Sequence, residues 1–141
     1  MHHEDRAGVN AFIRGIDRIA NAELPAAVVM CTNRLGSLDP AVKRRAADIL
    51  EFSRPNDIQR NALLDAPLKL LNFSESEITE IVTATGADAK REYGFTFSDL
   101  TQRLLPSIIL DAYPNQSVSP QRAIEITRSL VPTPPFQDTS S

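Results

Sequence analysis

A chain of 141 residues has room for one ordinary domain or two small ones, and 42% hydrophobic, 23% charged and 6% aromatic residues mark it as globular. Fifteen Lys and Arg against eighteen Asp and Glu leave a net charge of -3, which argues against a protein that coats nucleic acid. One cysteine, Cys31, and two histidines, His2 and His3, rule out a disulfide framework or a Cys/His zinc site within one chain, and leave a His-dependent catalytic triad only the pair beside Met1.

Val9, Phe12, Ile13, Ile16, Ile19 and Ala20 fall on one stripe of a helix, with Arg14, Asp17 and Arg18 facing away. After Pro25 the apolar run Ala26–Cys31 ends in Thr32-Asn33-Arg34, the pattern of a strand buried on both faces, with Cys31 in the core. Such runs are far short of the ~20 residues a membrane span needs, and the chain reads as soluble and cytoplasmic. Leu35-Gly36-Ser37 is a turn. Asp39-Pro40 predicts an N-cap and first helical position, and 41–46 a short helix carrying Lys43, Arg44 and Arg45. Asp48–Phe52 reads as a second short strand.

Arg54-Pro55-Asn56-Asp57 breaks the pattern, and only helical segments follow. The first spans 57–71, kinked or split by Pro67; the next opens on the capping-box pattern Ser74-Glu75-Ser76-Glu77 and ends near Gly86. A third starts near Thr96–Ser98 with Leu100, Leu104, Leu105, Ile108, Ile109 and Ala112 on one face, and its Pro106 predicts a kink. Phe95 and Phe97 read as core of this helical part. The fourth runs from Ser119-Pro120 to about Val131, and the proline-rich tail 132–141 is expected to be loose.

From Val9 to about Val131 this order resembles the C-terminal half of an AAA+ ATPase module. The resemblance is carried by Val28-Val29-Met30-Cys31-Thr32-Asn33-Arg34, by Leu38-Asp39-Pro40-Ala41-Val42-Lys43-Arg44-Arg45, by Ile49-Leu50-Glu51-Phe52 with Arg54-Pro55, and by Gly94-Phe95-Thr96-Phe97-Ser98-Asp99-Leu100. It implies an α/β fold followed by α: residues 1–53 as the C-terminal part of a P-loop nucleotide-binding core, 54–131 as a four-helix lid, and 132–141 as a flexible tail. Asn33 takes the sensor-1 position, where a neutral amide beyond a strand's carboxyl end helps orient the attacking water. Arg44 and Arg45 fall at the arginine-finger position, whose cation reaches the neighbouring subunit's nucleotide in a ring. Gly94 and Ser98 fall in the lid segment beside the adenine. Val9-Asn10-Ala11, Arg45-Ala46-Ala47-Asp48-Ile49 and Leu105-Pro106 further resemble the branch that remodels HORMA-domain proteins.

The sequence departs from that pattern in several places. Phe97 stands where a small residue is usual, and Ser98-Asp99 replaces the sensor-2 arginine, with Arg103 one turn further on. No Gly-x-x-x-x-Gly-Lys-Ser/Thr occurs, and no apolar strand ending in Asp-Glu precedes the first helix. ATP and Mg²⁺ are therefore expected in the complete module and not tightly on this chain alone, as for a truncated or split gene product. The expected partners are further copies in a ring, a hexamer, and a protein substrate; neither nucleic acid nor membrane is implied, since the arginines have no interleaved aromatics. The competing reading is a non-catalytic helical module that binds another protein.

Overall fold

A computed structural model of the chain describes residues 3–23, 25–114 and 117–136. It divides into two units, 1–51 with 136–141, and 52–135.

In the first unit, α1 (His3–Asn21) contains the expected helix and extends it toward the N-terminus. A 3₁₀ turn at Leu35–Ser37 and the short helix α2 (Pro40–Lys43) follow. The two expected strands do not form. Among the described residues the β-type pairing is the isolated antiparallel bridge between Asp88 and Arg91, and both 26–31 and 48–52 are irregular. A strand makes no hydrogen bonds within itself and exists only when paired with neighbours in a sheet, which these two segments lack. Their apolar side chains are correspondingly open: Val29 is 84%, Leu50 73% and Phe52 93% exposed. Cys31 is exposed as well, not a core residue. The α half of the expected α/β-then-α architecture is present, and among the described residues the sheet half is not.

The second unit is built from α3 (Asp57–Leu70), α4 (Glu75–Ala84), a π-helical turn (Asp99–Leu104) continuing into α5 (Leu105–Asp111), and α6 (Pro120–Ser129). Asn56 caps α3 through a reciprocal box with Gln59, and Ser74 caps α4 with Glu77. Pro67 neither splits nor ends α3, which runs on to Leu70.

The turn between α3 and α4 has a definite cause. The Phe73 amide donates to the Leu68 carbonyl at 3.1 Å and the Asn72 amide to Lys69 at 2.9 Å, with Asn72 at φ 65°. This is a Schellman C-cap, in which asparagine tolerates the left-handed position and Phe73 packs into the same core as Leu68. Ser74 then starts α4 at once.

Pro106 acts through a π turn. It has no amide to donate and its ring would crowd the Gln102 carbonyl, a conflict worth ~3 kcal/mol in a regular helix. Leu105 instead donates to Leu100, five residues back, which widens the helix just ahead of the ring. Leu64 and Leu68, Phe73, Ile78 and Ile81, Phe95, Leu100, Leu104 and Ile108, Ala123 and Ile124 close one core. Phe95 joins it, whereas Phe97 is 44% exposed. The C-terminal segment is not loose throughout: Pro132 is fully buried and Thr133 is hydrogen-bonded, while 137–141 lie outside the described residues.

Candidate functional site

In the first unit Asn33 is exposed, at the centre of a turn in which the Arg34 amide donates to Thr32 Oγ1 at 3.0 Å. Asp39 caps α2, its Oδ1 accepting from the Ala41 amide at 2.7 Å, and Pro40 takes the first helical position, where no donor is needed. Arg44 ends α2 and Arg45 follows it.

The two arginines are in different situations. Arg45 Nε and Nη2 donate to the two carboxylate oxygens of Asp17 in α1 at 2.7 and 2.9 Å, and Nη1 donates to the Ala41 carbonyl at 2.9 Å. A guanidinium fork on a carboxylate is directional, so it sets how α2 lies on α1. That bond holds the Asp17 carboxyl below its ordinary range and raises Arg45 above its own. Arg44 is exposed, and among the described residues its guanidinium makes no hydrogen bond or ion pair.

Gly94 and Ser98 belong to the second unit. A Cβ on Gly94 would stand 2.9 Å from the Thr85 carbonyl oxygen and 3.2 Å from Gly86 Cα, where the Phe95 amide donates to Thr85 at 2.9 Å. The position needs glycine because two backbones meet there. Ser98 sits in the first helical turn, its hydroxyl donating to Gln102 Oε1 at 3.2 Å. An open groove of about 590 Å³, lined by residues including Lys90, Arg91, Tyr93 and Arg128, contains neither Gly94 nor Ser98. The five expected site residues therefore fall as three in the first unit and two in the second.

Sequence reasoning did not find the polar cluster that flanks Gly94 and Ser98. Asp99 is 1% exposed. It accepts from the Thr96 amide at 3.0 Å, from the Thr133 amide at 2.9 Å and hydroxyl at 2.7 Å, and from Arg103 at 2.8 Å, while its own amide donates to Thr96 Oγ1 at 3.0 Å. Burial alone would raise its pKa, but the bonds from Thr133, Thr96 and Arg103 outweigh that and hold the carboxyl well below the usual range. Arg54 donates to the Gly94 carbonyl at 2.8 Å and the Thr133 carbonyl at 2.6 Å, with its guanidinium 4.7 Å from the centre of the Tyr93 ring. The Thr96-x-x-Asp99 spacing is a capping-box signal that could have been read; Thr133, set between prolines, carried none.

Among the described residues no helix is long and apolar enough to cross a membrane. No family model matches the chain. The chain is similar in fold to Trip13 chains in two solved structures. One is the E. coli MS115-1 HORMA:CdnC:Trip13 complex, at 61% identity and TM-score 0.93 over 97% of this chain and 45% of that one. The other is Rhizobiales Trip13, at 61% identity and TM-score 0.81 over 92% and 48%. Among curated proteins the chain is similar to CD-NTase-associated protein 6 of Escherichia coli strain MS 115-1, 62% identical over 138 residues, and of strain KTE188, 35% identical over 137. The chain spans less than half the length of these relatives, 44% of the first and 46% of the second.

Proposed function

We propose that the chain is the C-terminal half of an AAA+ ATPase module, residues 1–53 ending the nucleotide-binding core and 54–131 forming its lid. In the complete protein it would form a homo-oligomeric ring, a hexamer, that couples ATP hydrolysis to remodelling of a protein substrate. The observation that supports this best is the likeness, over 97% of the chain, to a Trip13 chain, Trip13 being an AAA+ protein. That chain was solved with HORMA and CdnC proteins, so a HORMA-domain protein is the proposed substrate.

Asn33 orients the attacking water, Gly94 and Ser98 lie beside the adenine, and an arginine reaches the neighbouring subunit's nucleotide. The chain carries no phosphate loop, and among the described residues no three His, Cys, Asp or Glu side chains come together to hold a metal ion. Binding of ATP with Mg²⁺, and its hydrolysis, are proposed for the complete module and not for this chain alone. Of the two arginines, Arg44, which has no partner among the described residues, suits a role in trans, where a cation must be free to meet developing phosphoryl charge.

Arg44→Ala in the full-length protein is expected to lower kcat by about 10³-fold or more while ATP binding is spared. Arg45→Ala is expected to cost less, through looser seating of α2. Normal turnover in both single variants and in the double variant would refute the finger assignment.

The open apolar side chains at Val29, Leu50 and Phe52 support a second reading, a non-catalytic module that holds another protein. It makes Asn33, Arg44 and Arg45 replaceable, so partner binding that survives replacement of all three by alanine, in a protein that never turns over ATP, would favour it.

A further inference from the structure

We infer that residues 130–133 act as a strap that holds the Gly94–Ser98 segment in shape, with Thr133 as its positioning residue and Arg54 and Asp99 as its two attachment points. This rests on the nucleotide role proposed for Gly94 and Ser98. Arg54 ties the strap to the start of that segment, bonding the Thr133 and Gly94 carbonyls with the two arms of one guanidinium. Asp99 ties it to the end, taking the Thr133 amide and hydroxyl on one carboxylate that also takes the Thr96 amide. Arg103 closes the arrangement, donating to both Asp99 and the Val131 carbonyl.

Arg54 and Asp99 are thus each bonded to the strap and to the segment it borders. The stretch 93–95 has no helix or strand hydrogen bonding of its own, with bonds from Gly94 and Phe95 running to Arg54 and Thr85, and Thr96 joins the helix start, its carbonyl accepting from Leu100 and its amide donating to Asp99. A segment of that kind keeps one conformation only if its surroundings impose it. Thr133 supplies the C-terminal share of those surroundings, with Pro132 fully buried behind it. The carboxylate is ionised and dry, so each bond made to it counts for more than a neutral surface bond.

The test is Thr133→Val, which keeps the shape and removes the hydroxyl, beside Thr133→Ser, which restores it. Arg54→Lys cuts the other attachment and covers the case in which the valine variant fails to fold. Amide hydrogen exchange of the 141-residue chain is the first reading. Thr133→Val and Arg54→Lys are expected to speed exchange at Thr96 and Asp99 by about tenfold, leaving Ile78 and Ile81 in α4 unchanged, and Thr133→Ser to return it to the starting rate. Unchanged exchange overturns the strap. The second reading is ATP turnover by the full-length protein, where Thr133→Val is expected to raise KM for ATP about tenfold with kcat within about twofold, and Thr133→Ser to reverse it. Faster exchange with unchanged KM overturns the positioning role and leaves the nucleotide reading standing. A wild-type protein that binds no ATP defeats the nucleotide reading, and with it the positioning role, while exchange still decides whether the strap exists.

Discussion

Gly94→Ala tests whether that glycine is there for its small size. Its φ does not lie in the left-handed region, so alanine is not excluded by backbone conformation. The cost is contact: the added methyl meets Thr85 O at 2.9 Å, Gly86 Cα at 3.2 Å and the Gly86 carbonyl carbon at 3.3 Å, all backbone atoms that cannot swing aside. Overpacking of that kind costs about 1–3 kcal/mol, and pushing the segments apart weakens the Phe95–Thr85 bond by up to about 1 kcal/mol. Against this stands a gain of about 0.4–1 kcal/mol from a stiffer unfolded chain, so the net is a loss centred on ~2 kcal/mol. In a domain of this size each kcal/mol moves Tm by about 4–8 °C, so thermal unfolding followed by circular dichroism resolves it. Gly86→Ala is a poorer reference than it looks, because its methyl meets Arg60 Nη2 at 2.8 Å and that buried guanidinium is already bonded to Pro55 and Asp57. Should Gly94→Ala melt within about 2 °C of wild type, the close-approach argument fails.

Asp99 predicts a pH dependence. Its folded pKa is depressed, so the stability it lends is fully present above the ordinary carboxylate range and drains away as pH falls below it. Melting profiles from neutral pH to pH ~2 should show an acid limb that Asp99→Asn flattens, and an unaltered limb would refute the role given to its hydrogen bonds. Asn72, at φ 65°, should accept glycine with little change, whereas Asn72→Val should lose about 1–2 kcal/mol in urea unfolding. Equal stability of the two variants would show that the Schellman turn does not hold α3 to α4.

The helical half was largely legible because its signals are local. Ser74 with Glu77, Pro120 after Ser119 and the stripe Leu100, Leu104, Ile108 each fix a helix within a few residues of chain. The strands were misread for the complementary reason. Ala26–Cys31 has the composition of a buried parallel strand, but composition cannot supply the neighbours that make it one, and here the run is irregular and open. Arg60 shows a subtler failure. It shares the i, i+4 stripe with Leu64 and Leu68 and is 6% exposed, yet a charged residue on an apolar stripe gives no sign that its guanidinium will meet the Pro55 carbonyl at 2.8 Å and pair with Asp57. The Asp99–Thr133 contact joins positions 34 residues apart, beyond the reach of any periodicity.

Arg44 and Arg45 are equivalent in sequence, and only geometry separates them. On the nucleotide reading the two have complementary tasks. A cation that acts on a neighbouring subunit must be unpaired before assembly, because an intramolecular partner would have to be given up at the moment of catalysis. It must also be presented from a fixed base, since a loosely held donor loses the orientation on which its effect depends. Arg44 meets the first requirement by having no partner among the described residues, and Arg45 meets the second by fastening α2 to Asp17 through both carboxylate oxygens. Asp17→Asn therefore separates the two tasks: it leaves both arginines in place but replaces the carboxylate that Arg45 grips. Turnover in the full-length protein should fall to about the level of Arg45→Ala and stay well above that of Arg44→Ala. If Asp17→Asn turns over like wild type while Arg45→Ala does not, Arg45 acts directly on the nucleotide and the division of roles is reversed.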